Sequence, residues 1–406
     1  GITNESTGRR DFLKQLGFGL GAATLAASCE MPVRKSIPYV FKPEEITPGV
    51  ANYYASSYTL GGEYISVLIK TREGRPIKIE GNPNSKISQG GTTALAQASV
   101  VSLYDNASRF KFPMKAGKEM SFAAIDAEIG AKLGTGKVVV LTSSINSPSS
   151  LAAINEFKTK YNATHVTHDA VSYSGILDAA ETYLGVRAFP DFRFGEADVI
   201  VSIGADFAAT WGNPVEHASD YAKRRKVSVQ NSNMSRHIHF EAIPTATSST
   251  SDKKYALSPS EEAMAVYELY NAVNSGEACK IAGVAETAKE LLACKNRGMK
   301  SLVVCGVNDA NVQGLVFAIN NILGNFGTTI KGATNYKKSN DRETAALLAD
   351  MNAGAVKSLI IIDTNPAYSI KGFAEAMKKV ENTISLSDRH NETSDACVYV
   401  VPNHNA

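Results

Sequence analysis

Apolar residues follow two rhythms along this chain. Between residues 63 and 80 they alternate with polar ones, as "EYISVLIKT", a turn at Glu73–Gly74, then "RPIKIEG". A period of two predicts strands with one buried face. From residue 121 the alternation gives way to short unbroken apolar runs: "KVVVLTS" (137–143), "DVIVSIGAD" (198–206), "KVSVQNS" (226–232), "SLVVCGV" (301–307) and "SLIIIDTNP" (358–366). The runs lead into Gly, Asp or Asn and then into a helical pattern, which is how parallel strands covered on both faces read. "SPSSLAAINEFKTKY" (147–161) predicts a helix starting at capping serines. "TTALAQASVVSLYD" (92–105) predicts another, with Leu95, Val100, Val101 and Leu103 turned inward.

The fold class that follows is α/β: a small N-terminal β-rich piece at 60–82, then mainly parallel, Rossmann-like α/β regions over 137–240 and 300–400. The stretch 31–58 holds four prolines and no helical period, and predicts an extended arm. The polar stretch 242–260 predicts a loop between two α/β regions. The organisation expected is therefore 1–30 as a leader or anchor, 31–58 as the arm, 59–115 as the N-terminal piece, and 116–250 and 251–406 as α/β regions.

Composition adds limits more than leads. Of 406 residues, 42 are Lys or Arg and 40 are Asp or Glu, a net charge of +2 that gives no electrostatic footprint for nucleic acid. The five cysteines, Cys29, Cys279, Cys294, Cys305 and Cys397, form no CxxC and no disulfide framework, and none lies between Cys29 and Cys279. His237 and His239 are the close histidine pair. At i, i+2 they share one face of a strand, which suits a metal, but no third ligand accompanies them.

The N-terminal "GRRDFLKQLGFGLGAATLAASC" joins Arg9–Arg10 to an apolar stretch from Leu16 to Ala27. It resembles a twin-arginine export signal, which places the protein on the periplasmic face of a bacterial inner membrane; a short amphipathic helix is the alternative. "LAASC" also resembles a lipoprotein site with Cys29 as the lipidated residue, although Ala26 stands where a bulky aliphatic is usual. The apolar stretch is short of the ~20 residues that a membrane-spanning helix needs.

In open α/β sheets ligands sit at the carboxyl ends of strands. Those ends read "VSIGADFAATWGNP", "VCGVNDANVQG" and "IIDTNPAYS". Gly204, Gly306 and Asn365 are types that let a backbone approach a nucleotide, and they are equally the types that make tight turns. No GxGxxG or GxxxxGKS is present.

At this point a family resemblance becomes specific. "GRPIKIEGNPNSKISQGGTTALAQASVVSLYDNASRFKFPM" (74–114) resembles the N-terminal signature of the molybdopterin-guanine-dinucleotide oxidoreductases. "ADVIVSIGAD", "PTAT", "SLIIIDTNPAYS" and "RHNETSDACVYVVPN" follow in that family's order. The leader, the arm and "TREGRPIKIEGNP" together resemble, more narrowly, the molybdopterin-oxidoreductase-like iron–sulfur subunit of bacterial alternative complex III, a complex that oxidises quinol and passes electrons to cytochrome c or an oxidase.

What the resemblance implies is a family fold without the family's cofactors. The four cluster cysteines fall on Tyr58, Gly61, Ile65 and Thr93, none of which offers a thiolate, and the basic residue beside the cluster falls on Leu95. The molybdenum-ligand region is "THDAVSYSGILDAAETYLG", where Asp169, Ser172 or Ser174 could ligate and Gly175 is the competing match. Gly204, Asp206 and Asn365 mark the expected pterin side, with Phe207 and Trp211 expected to fill a vacant cleft. The chain ends where the family's pterin fold continues.

The implied function is a non-catalytic scaffold of a membrane-associated quinol-oxidising respiratory complex. It would carry no cofactor or metal itself, with iron–sulfur clusters in a C-terminal part or companion chain. Its partners would be multi-heme cytochrome c subunits that carry the hemes, polytopic quinol-binding membrane subunits, and a terminal oxidase as a further candidate. The alternatives are an active molybdenum oxidoreductase with a Ser or Asp ligand, and an exported two-lobed binding lipoprotein.

Overall fold

The computed structural model describes residues 43–229 and 232–403. The expected leader, Cys29 and residues 31–42 of the expected arm lie outside them. The chain divides into two units, Gly1–Val50 and Ala51–Ala406. In the first, residues 43–50 make two turns, closed by Ile46 N–H to the Pro43 carbonyl (3.1 Å) and Val50 N–H to the Thr47 carbonyl (3.0 Å).

The second unit opens with an antiparallel sheet of β1 (Ala51–Leu60), β2 (Glu63–Arg72) and β3 (Arg75–Gly81). The predicted alternation puts Ile65 and Val67 inside. Residues 51–58, expected in the arm, are strand instead, because each of them pairs with a residue of β2, from Ala51 with Arg72 to Tyr58 with Ile65. The helix Ala94–Ser102 forms as expected, but faces differently. Leu95 (61% exposed) and Val101 (68%) point outward, while Ala96 is buried. The helix packs closely through a small side chain, which a hydrophobicity reading passes over.

The strands that follow are β4 (Met114–Lys115), β5 (Lys118–Glu119), β6 (Val138–Thr142), β7 (Thr164–Thr167), β8 (Phe189–Phe192), β9 (Val199–Ile203), β10 (Arg236–Glu241), β11 (Lys253–Ala256), β12 (Ser301–Cys305), β13 (Ile330–Thr334), β14 (Ser358–Ile362), β15 (Asn382–Ser385) and β16 (Tyr399–Val400). They build an outer sheet in the order β5-β4-β16-β15-β14-β6-β7, an inner sheet β11-β10-β9-β12, and the antiparallel pair β13-β8. From β16 to β7 the outer sheet is parallel, and the inner sheet is parallel throughout. The fold is thus mixed α/β with an N-terminal antiparallel sheet. The inner sheet and the β13-β8 pair are inserted between β7 and β14, and both α/β sheets draw strands from either side of residue 250.

Burial explains the apolar runs. All five residues of β6, β9 and β12 are buried. Along β9, Val201 and Ile203 pack on the helices Glu261–Ser275, Val284–Asn296 and Ala310–Ile322, whereas Ile200 faces an aromatic cluster with Phe189, Phe192 and Phe194. The helix Pro148–Tyr161 starts where expected, with Ser147 as its cap and Pro148 in the first turn.

Two expectations between 226 and 260 are corrected. Of the strand expected at 226–232, residues 230 and 231 lie outside the described residues, and 226–229 do not form a strand: Val229 is 97% exposed. The place beside β9 is taken by β10, whose polar His237, His239 and Glu241 are buried and hydrogen-bonded. The expected loop 242–260 contains a short helix, Ala246–Ser249, and the edge strand β11.

Candidate functional site

Each parallel sheet has one place where strand order reverses, between β9 and β12 in the inner sheet and between β6 and β14 in the outer one. Crevices for ligands open at such points. Gly204 and Gly306 stand at the first. Gly204 has φ +60°, and a Cβ there would meet the Glu262 carboxylate at 2.6 Å; a Cβ on Gly306 would meet the Gly204 carbonyl at 2.1 Å. Their N–H groups donate to the carbonyls of Phe240 and Ile203, both at 2.8 Å. Phosphate cradles need free N–H donors and no competing anion. Here the donors are engaged, and the Glu262 carboxyl, held above its usual range by burial, faces the turn. These glycines serve close backbone approach and do not fit a pterin phosphate.

The neighbouring residues are engaged as well. Asp206 accepts from Thr247 N–H (3.0 Å), the Thr247 hydroxyl (2.7 Å) and the Thr210 hydroxyl (3.0 Å). Phe207 is fully buried and stacks on Phe194 at 4.2 Å, and Trp211 packs beside Phe189 and Phe192.

At the outer reversal, Ser143 N–H reaches the Ile362 carbonyl (3.3 Å). Asn365 donates to Glu392 (2.7 Å) and accepts from the Thr393 hydroxyl (2.6 Å), so it secures the helix Glu392–Ala396. Asp363 takes up φ +53° at the end of β14; its carboxyl is raised by its confined surroundings and by Asp388.

The candidate metal ligands gather around the loop that carries Ser339. Asp169 is buried and accepts from Ser144 N–H (2.8 Å) and the Ser144 hydroxyl (2.6 Å), one on each oxygen. The Ser172 hydroxyl donates to Ser339 (3.3 Å), and Ser174 accepts from Arg187 (3.1 Å) and Asp341 N–H (3.2 Å). Gly175 N–H donates to Asn308 (2.8 Å), and a Cβ there would meet Asp309 N at 2.6 Å. Among the described residues no group of three His, Cys, Asp or Glu is arranged to hold a metal. His237 and His239 do share a strand face, but they converge on the Ser202 hydroxyl, at 2.8 and 2.6 Å, with Tyr221 completing the chain at 3.0 Å. Burial pushes His237 down to about 3, so this neutral chain holds the sheet together from within.

The four positions matched to cluster cysteines also have other tasks. Tyr58 pairs with Ile65 across β1 and β2. Ile65 lies in an apolar cluster with Val67, Ile79, Ala96 and Val215, with Tyr58 packed against it. Thr93 caps the helix Ala94–Ser102 by accepting from Ala96 N–H (3.1 Å). A hydroxyl engaged as a cap, a phenol, a glycine and a buried isoleucine do not fit an iron–sulfur cluster, whose iron needs thiolates.

Gly61 sits at the tip of the β1–β2 hairpin, and its carbonyl accepts from the Lys337 ammonium at 3.0 Å. Lys337 is 3% exposed and lies 4.8 Å from the centre of the Tyr173 ring. Burial lowers its pKa, while Glu63 and Asp169 work the other way. Nothing in the sequence singled this lysine out, because "NYKKSN" reads as an exposed polar turn.

No known family profile matches the chain. Over an alignment 463 positions long, gaps included, it is 21% identical to the menaquinone reductase, molybdopterin-binding-like subunit, of Nitratidesulfovibrio vulgaris. The chain is a distant relative of a molybdopterin-binding-like protein. The alignment takes in 97% of this chain, which spans 65% of that relative's length. Among solved structures, the formyltransferase/hydrolase complex of Methylorubrum extorquens with methylofuran superposes with a TM-score of 0.49 and 14% identity, over 71% of this chain and 86% of that one.

Proposed function

We propose that this chain is a non-catalytic, molybdopterin-oxidoreductase-like module of a membrane-bound, quinone-linked respiratory complex. One observation carries the reading. The chain aligns almost end to end with a molybdopterin-binding-like subunit of a menaquinone reductase, while its own strand-end glycines are closed against each other and against Glu262. The donor set at Tyr58, Gly61, Ile65 and Thr93 supports the same reading, since it suits packing and capping and not iron.

In finer form, the complex is of the alternative complex III type, which oxidises quinol and passes electrons to a cytochrome c or an oxidase. The chain works at the periplasmic face of the inner membrane, exported by the twin-arginine route. It holds multi-heme cytochrome and polytopic quinol-binding subunits together, and those partners or a companion chain carry the hemes and iron–sulfur clusters.

The test is metal analysis of the complex purified from native membranes through a tag on this chain. Heme and polytopic subunits should accompany the chain, and molybdenum should stay at background. Stoichiometric molybdenum would overturn the reading in favour of an active oxidoreductase, with Asp169, Ser172 and Ser174 as the residues to replace. A chain that purifies alone would favour a free-standing binding protein.

A further inference from the structure

The tip of the β1–β2 hairpin reaches a point where two parts of the fold meet. One part is the outer sheet, represented by Ser144 and Asn146 just past β6. The other is the inserted lobe between β7 and β14, represented by Tyr336 and Lys337 just past β13. Gly62 is pressed between them. With φ +79°, a Cβ there would meet the Tyr336 carbonyl at 2.2 Å, Ser144 Cβ at 3.0 Å and Lys337 Cδ at 3.2 Å.

Three polar contacts cross the same point. Lys337 Nζ donates to the Gly61 carbonyl at 3.0 Å. The Asn146 amide lies 3.3 Å from both the Gly62 and the Tyr336 carbonyl, so one side chain touches tip and lobe together. Behind them, further bonds tie the lobe to the outer sheet along the same seam. Ser144 accepts from Lys338 N–H at 2.8 Å and donates to Asp169, and Asn340 N–H reaches the Thr167 carbonyl at 3.0 Å.

We propose that the Gly61–Gly62 tip is a reversible latch that fastens the inserted lobe to the outer sheet, with Lys337 as its pin. The chemistry makes the closed state specific. The hydrogen-bond acceptor for the buried ammonium, and the nearby Glu63 carboxylate, both belong to the hairpin. The lobe offers in their place the face of Tyr173 and the environment of Asp169, whose two oxygens are already engaged by Ser144.

The same chemistry makes the closed state weakly held. Withdrawing an ammonium from water is costly, and one carbonyl, one ring face and two carboxylates at a distance offset only part of that cost. The latch therefore opens at a smaller free energy than either sheet, and opening uncovers Ser144 and Asn146 at the end of β6. This inference is independent of the proposed function, since it rests on contacts within one chain.

Hydrogen exchange read by mass spectrometry on the full chain tests it. Lys337→Met removes the pin, and Gly62→Val forces the tip off Tyr336. In both variants amides at 58–66 and 336–340 should exchange at least ~10-fold faster, while β9 and β12 keep their protection. Unchanged exchange at 58–66 in both variants, or a uniform rise across the chain, overturns the proposal. Wild-type protein gives a check that needs no variant. Segments 58–66, 144–147 and 336–340 should open at one common rate, and a hairpin that opens independently of the other two contradicts a latch.

Discussion

Thr93 shows how much a single position can mislead when only its chemistry is considered. It stands where the family resemblance places a metal-binding cysteine, yet its hydroxyl is the cap of the helix Ala94–Ser102. Thr93→Ala should therefore lower unfolding stability by about 1 kcal/mol, as loss of a cap does, and Thr93→Ser should restore most of it. Denaturant unfolding checks both. The buried histidines give a second residue-level expectation. His237 is pushed down to about 3 and His217 to about 4, in each case chiefly by burial. The unfolded chain takes up protons on these rings near pH 6.5, and the folded chain does so only well below that. Stability should accordingly be level above about pH 6.5 and fall as pH drops towards 4, by up to ~1.4 kcal/mol per pH unit for each histidine. Urea midpoints across that window read the slope, and His217→Phe should reduce it by one histidine's share.

At the scale of elements, legibility in the sequence tracked how uniformly an element is buried. The expected strands at β6, β9, β12 and β14 are present because parallel strands covered on both faces must be apolar almost throughout. β10 was not among the expected apolar runs, for the opposite reason. Its buried polar side chains are satisfied by Ser202, Tyr221 and Thr245, partners distant or unremarkable in sequence. The candidate site was half legible. Ser172 and Ser174 do meet through one hydrogen bond, but the groups that occupy them and Asp169, from Ser144, Arg187, Ser339 and Asp341, could not be paired with them by spacing. Facing was the weakest inference, as the helix Ala94–Ser102 shows. In the isolated chain Val101→Ser should change stability by no more than ~0.5 kcal/mol, whereas Ala96→Leu should cost ~1–3 kcal/mol through overpacking. Gly306→Ala belongs in the same series. Its Cβ would run into the Gly204 carbonyl, so a loss of ~1–3 kcal/mol by denaturant unfolding is expected, without any change in ligand content.

For the whole molecule, two sheets each carry one reversal of strand order, marked in the inner sheet by the close approach of Gly306 to Gly204 and in the outer by a bond from the Thr364 hydroxyl to the His168 carbonyl. The nesting of one sheet inside the other has a consequence in time. Val138 of β6 pairs with Ser358 of β14, and the entire inserted lobe intervenes between them. During synthesis β6 and β7 emerge early and wait, while the lobe, whose strands are all within its own stretch of chain, can assemble around β9 as soon as β12 appears. The centre of the outer sheet closes last, because that pairing must first bring together two distant ends. In refolding followed by pulsed hydrogen exchange, amides of β9 and β12 should gain protection before those of β6 and β14. Until that closure, β6 presents a bare edge that is apolar from Val138 to Leu141, and it is the segment on which a chaperone or a misassembled neighbour would act first.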